Sequence, residues 1–249
     1  MLAALSFGVW IFGAVIVTSA ISGVFGMAGG LILMLILAQL VAVAPAMVLH
    51  GVTQFVSNGW RAVLWRRWIA WRIVGLYALG AAPAILLPLL VAYVPDKATM
   101  LILLGAVPYA ALALPEAAKL DASRPVHAVL CGFFVGGTQL LAGVAGPLLD
   151  VFFVRSALDR RAVVATKAAT QAISHVAKVG YYGALLTGTA MPGLPVFGAA
   201  ILAALIGTTL AGPLLEKLSN AQFRRWTRAI VLAIGALSLL QGLWLLFMR

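Results

Sequence analysis

The chain has 249 residues, with 17 Lys and Arg against 6 Asp and Glu and a formal net charge of +11. Hydrophobic residues make up 64% of it and charged residues 9%, where a soluble domain is about half apolar and about a quarter charged. This excludes a soluble domain, a disordered tail and a secreted disulfide scaffold, and the basic charge, clustered between apolar runs, points to the ends of membrane helices rather than to nucleic acid.

Met1 to Ala20 is apolar, with no Lys or Arg before Arg61. It lacks the basic start of a cleavable signal and reads as a first membrane helix with its N-terminus outside. Breaks at charge, Pro and Gly then divide the chain into ten apolar segments. In the first half they run over about 4–25, 30–44, 45–66, 72–93 and 97–115, and in the second over about 124–142, 144–156, 160–187, 191–215 and 222–248. The expected fold is an all-α polytopic membrane protein. Segments 30–44 and 144–156 fall short of the roughly 20 residues that a spanning helix needs, so they read as half-helices or re-entrant segments. Cys131, the single cysteine, lies in an apolar stretch and carries no redox or metal signal.

The chain repeats itself. Gly26-Met27-Ala28-Gly29-Gly30-Leu31 and Gly143-Val144-Ala145-Gly146-Pro147-Leu148 stand 117 positions apart. Thr53-Gln54-Phe55-Val56-Ser57-Asn58 and Thr170-Gln171-Ala172-Ile173-Ser174-His175 stand at the same offset. Two motifs in one register indicate a duplication, with repeats over 1–116 and 117–249.

Charge placement orients the repeats. The third-to-fourth connection holds Arg61, Arg66, Arg67 and Arg72, while its partner around Leu186 to Pro195 is uncharged. The fourth-to-fifth connection holds only Asp96 and Lys97, while its partner holds Glu216, Lys217, Arg224, Arg225 and Arg228. The positive-inside bias therefore predicts two inverted five-segment repeats, with the Arg155–Arg161 junction also inside. Inverted repeats are a common build of secondary transporters, which place their site between the repeats.

His50, Thr53, Gln54, Ser57, Asn58 and Arg61 recur at steps of three and four, as do Lys167, Thr170, Gln171, Ser174, His175 and Lys178. Each set forms one polar helix face in an apolar wall. Ionisable groups there are costly and usually face a cavity. Neither stripe carries an acid, so both suit an anion. The glycines Gly26, Gly29, Gly30, Gly143 and Gly146 precede or open helices whose N-terminal N–H groups can seat an oxyanion.

Each feature also has a structural reading. The glycine motifs serve as packing points, and Ser57 and Ser174 as interhelical hydrogen-bond glue. His50 is solvated near the outer end. Arg61, Lys178 and even Lys167 snorkel to headgroups. His175 lies deeper. Asp150, the one acid well inside an apolar segment, is either a proton carrier or a partner for Lys167 or Arg155. Trp60, Trp65, Trp68 and Trp71 read as an interfacial belt.

The Gly26–Gly30 motif, its copy at Gly143–Leu148 and the Thr/Gln/Ser helix after each resemble the sulfite exporter TauE/SafE family of membrane permeases. The resemblance covers nearly the whole chain, although Ala28 and Pro147 stand where the family favours glycine. It implies a bacterial inner-membrane transporter of sulfur oxyanions or organosulfonates.

The expected function is thus a secondary permease that moves a small sulfur-containing anion by alternating access. The candidate substrate-binding residues are Gly26, Gly29, Gly30, His50, Thr53, Gln54, Asn58, Gly143, Gly146, Lys167, Thr170, Gln171 and His175. His175 and Asp150 are the candidates for proton coupling, with a proton or sodium as the coupling ion. No metal or other cofactor is expected. The alternatives are a permease or channel for another small anion and, further off, a metal-cation permease. An intramembrane enzyme finds no support, since adjacent Ser174 and His175 point about 100° apart on a helix and cannot pair.

Overall fold

A computed structural model describes residues 2–115, 120–186, 191–216 and 219–248. Among these the chain is helical, with no strand: α1 (Leu2–Phe25), α2 (Ala28–Leu40), α3 (Val43–Leu64), α4 (Trp71–Leu89), α5 (Lys97–Ala113), α6 (Pro125–Ala142), α7 (Gly146–Phe153), α8 (Arg160–Leu185), α9 (Leu194–Glu216) and α10 (Asn220–Phe247), with a 3-10 turn at Arg66–Trp68.

The two short segments are short helices. The 13 residues of α2 and the 8 of α7 rise only about 20 Å and 12 Å at roughly 1.5 Å per residue. Neither crosses a hydrocarbon core of about 30 Å. Among the described residues five helices are long and apolar enough to cross: α1, α4, α6, α9 and α10. α3 and α8 have the length, at 22 and 26 residues, but they carry the polar stripes.

Three of the six acids start helices or shape turns. Asp96 accepts from Thr99 N at the start of α5, and Asp159 from Arg161 N and Ala162 N at the start of α8. Asp121 accepts from Ser123 N just before α6. Carboxylates are favourable at such ends, where backbone N–H groups are otherwise unpaired. Asp150 is left as the acid inside an apolar helix.

The main packing pairs are α1 with α9, α4 with α6, α3 with α8 and α5 with α10. Three of them meet on glycine. A Cβ on Gly132 would collide with Tyr77 O of α4, and one on Gly80 with Val129 O of α6. Gly207 of α9 has the same relation to Ile16 O of α1, and Gly105 of α5 to Gly235 O of α10. In lipid, where apolar surface gains nothing by leaving the solvent, such backbone proximity holds helices together.

α3 and α8 run antiparallel: Gly51 packs on Val179 and Lys178, while Arg61 and Lys167 line one cavity. The basic clusters gather at one end. Trp68 lies under the Arg161 guanidinium, 5.1 Å from its ring centre, so this tryptophan is also a stacking partner. Ala70 N donates to Thr166 Oγ1 at 3.0 Å, and Arg228 lines a cavity with Val154 and Asp150. At the other end Gln39 bridges α2 to Gln241 of α10 at 2.8 Å.

Candidate functional site

At the basic end a cavity of about 440 Å³ opens between the helices. It is lined by Arg61 from α3, by Arg160, Lys167 and Gln171 from α8, and by Gly23, Gly26 and Met27 at the α1–α2 turn. None of the described residues lining it is acidic. Arg61 does not reach for the headgroups: its guanidinium donates to Ser22 O at 3.0 Å. Lys167 does not snorkel either. It is ion-paired with Asp150 of α7, the partner reading given above for that acid. Asp150 faces a neighbouring cavity of about 310 Å³, so the pair forms a wall between two spaces.

The turn that starts α2 stands on the cavity wall, and α7 reaches the cavity at its far end, Phe153 and Val154. Gly26 takes a left-handed φ of 69°, a conformation that costs a side-chain-bearing residue about 1–2 kcal/mol, and so lets α2 turn back against α1. The side chain of Met27 lies where a Cβ on Gly146 would stand, so the starts of α2 and α7 abut. The positive ends of both helices converge there. Close by, Gln54 Nε2, Ser19 Oγ and Ser22 Oγ are buried with no hydrogen-bond partner among the described residues. Gln54 packs on Gly30 and Ser22 on Gly29. Buried donors left unpaired in a low-dielectric interior are costly and invite a ligand that accepts from them.

Further along the α3–α8 seam the polar groups are sealed. Lys178 is fully buried. Its Nζ donates to Gly143 O at 2.9 Å and lies 2.8 Å from His50 Nδ1. His50, also fully buried, has Nε2 2.9 Å from Gly30 O. A carbonyl can only accept, so Nε2 carries the hydrogen and Nδ1 accepts from Lys178. Gln139 is fixed in orientation, with Nε2 donating to Gly143 O at 2.7 Å and Oε1 accepting from Ala145 N at 3.1 Å. The same Nε2 lies 3.2 Å from His175 Nδ1. Gly143 holds its turn with a φ of 79°. Lys178 and His50 thus depart from their surface readings, because α2 and the α6–α7 turn cover this end of α3 and α8.

The expected residues fall into distinct places. Gly26, Lys167 and Gln171 line the open cavity. Gly30, His50, Gly143 and His175 join the sealed cluster, the glycines through their carbonyls. Gly29 and Gly146 admit close contacts of α1 and Met27. Thr53 and Thr170 bond their own helices at Leu49 O and Lys167 O, and Asn58 bonds Gln54 O at 2.9 Å. The glue reading of the serines holds: Ser57 meets Thr208 of α9 at 2.7 Å and Ser174 meets Tyr77 of α4 at 2.6 Å. Arg160, Gln139, Ser19 and Ser22 were absent from the expected set, and Arg61 and Lys178 entered it only as stripe ends. The duplication held a signal for one pair, since Ser22 and Gln139 stand 117 apart and both adjoin the motif glycines.

The family model for the sulfite exporter TauE/SafE matches residues 11–238. Comparison with curated proteins and with solved structures gave no match.

Proposed function

The chain belongs to the sulfite exporter TauE/SafE family, a family of membrane permeases, and from that premise we propose that it is a secondary permease for a small sulfur oxyanion or organosulfonate. The observation that carries this is the 440 Å³ cavity with Arg61, Arg160 and Lys167 on its walls and no acid among its described lining residues. A site of this volume suits a small ligand. Its cations and the start of α2 favour an anion, and Gln54, Ser19 and Ser22 offer unpaired donors nearby.

We further read the chain as two inverted repeats working by alternating access in a bacterial inner membrane. Several relationships support this. The pairing of α1 with α9 mirrors that of α6 with α4, as a two-fold relation between the halves requires. Gly26 and Gly143, at the 117 offset, share a left-handed turn. Ser57 and Ser174, also at that offset, tie α3 to α9 and α8 to α4. The collected basic groups favour a cytoplasmic position for the open end. Rocking one repeat against the other would close it and open the sealed end.

The test is flux into proteoliposomes of sulfite, thiosulfate, sulfate and sulfoacetate, with acetate as control. Saturable uptake of at least one sulfur anion, lowered about tenfold or more by Arg61→Gln, is the expected result. No flux of any sulfur anion would sink the reading, and unitary currents would make the protein a channel.

A further inference from the structure

We propose that Lys178 is a second anion-binding cation, the seat of the small oxyanion when the path opens away from the basic end, and that its bond to Gly143 O is the latch that shuts this seat in the present conformation. The proposal rests on the permease reading above and names a site residue for the half of the path now closed.

Three observations carry it. Lys178 is 0% exposed, and the described groups that touch its Nζ are His50 Nδ1 and Gly143 O. Neither is a counter-ion. Burying an ammonium without one costs several kcal/mol, so a lysine serving only as packing is a poor use of the position. Second, Lys178 stands 117 residues after Arg61, and His50 stands 117 before Lys167. The sealed pair is therefore the register counterpart of the pair that lines the open cavity. One pair faces a space and the other is folded onto a turn. Third, Lys178 is held by a separate element rather than by its own helix. Gly143 belongs to the α6–α7 turn, where Gln139 shares the same carbonyl. Withdrawal of that turn from α8 would free the ammonium, and a dianionic or monoanionic oxyanion would replace the carbonyl as acceptor, with an ion pair in place of a bond to a neutral carbonyl.

Ala142, fully buried beside the turn, is the reporter. In a Cys131→Ala background, Ala142→Cys is labelled with a membrane-impermeant methanethiosulfonate from the face opposite the basic end, with and without sulfate or sulfoacetate. The expected result is slow labelling that at least one of these anions slows a further threefold or more. With Lys178→Gln the labelling without anion speeds up, because the latch is gone, and the anion no longer protects. Lys178→Arg retains protection. Absence of labelling in the parent, or protection unchanged by Lys178→Gln, overturns the proposal. The parent measurement needs no change at Lys178, so it stands even where Lys178→Gln fails to fold. Failure of the permease reading shows separately, as an absence of flux through the unmodified chain.

Discussion

Asp150 on α7 is ion-paired with Lys167 on α8, across the wall between the two cavities at the basic end. The pair is partly exposed, at 21% for the lysine and 38% for the aspartate. Its attraction is thus screened, and its main effect is on the charge that an entering anion meets. Asp150→Asn leaves Lys167 unneutralised. The expected outcome is anion binding at the basic end tightened about three- to tenfold, or roughly 0.7–1.4 kcal/mol, and slower release. Titration calorimetry on purified protein checks the first, and a fall in maximal flux the second. Binding unchanged by Asp150→Asn would remove Lys167 from the site.

Arg61 is the group whose loss should be felt most. Its guanidinium is held by Ser22 O and faces the cavity, so it is pre-positioned for an oxyanion. Loss of a charge-assisted hydrogen bond costs about 1.5–3 kcal/mol. Arg61→Gln should weaken binding about ten- to hundredfold without lowering the amount of protein in membranes. Arg61→Lys keeps the charge and loses the fork, so it should recover only part. Equal affinity for Arg61→Gln and the parent would place the anion elsewhere.

The helices were legible because the bilayer leaves few choices. An apolar run of about 20 residues must be a helix with its backbone satisfied internally, and segments 30–44 and 144–156 were short for the same reason that α2 and α7 are. The stripes on α3 and α8 were legible from their spacing. The contacts that close them were not. Nothing around Lys178 in sequence says that Gly143 O and His50 will meet its ammonium, 35 and 128 residues away. Distance from its own helix end suggested a headgroup, but neighbouring elements extend over that end. Asp150 and Lys167 likewise meet only because α7 lies back against α8. Gln139 was hidden as one polar residue in a glycine-rich helix, and its role comes from the turn it folds onto.

The two motif glycines should respond unequally to substitution, although both take left-handed backbone. A Cβ on Gly26 meets nothing within 4 Å, so Gly26→Ala bears only the backbone strain of about 1–2 kcal/mol. A Cβ on Gly143 lies 2.9 Å from both Met34 Sδ and Met47 Sδ, so Gly143→Ala adds overpacking of about 1–3 kcal/mol. Thermal unfolding in detergent should therefore rank the parent above Gly26→Ala and Gly26→Ala above Gly143→Ala. Gly26→Asn should recover most of the loss at that position, since asparagine tolerates the left-handed region. An equal drop for both alanine variants would show that the packing around the second turn yields freely.

The glycine seam between α4 and α6 allows a sharper comparison along one helix. A Cβ on Gly80 would collide with the Val129 backbone, whereas one on Gly75, also on α4, meets nothing within 4 Å. Gly80→Ala must push α4 off α6, because the obstacle is backbone and cannot rotate away. The loss should reach about 2 kcal/mol or more, since separating the helices forfeits contacts along the whole seam. Gly75→Ala should be neutral or stabilising by up to about 1 kcal/mol, through the better helix propensity of alanine. Crosslinking reports the geometry directly: with Cys131 removed, cysteines at Ala84 and Gly137, where a Cβ on Gly137 stands 3.7 Å from Ala84 Cβ, should oxidise more slowly in the Gly80→Ala chain than in the parent. Equal stability of Gly80→Ala and Gly75→Ala would mean that the seam is not what holds this pair of helices together.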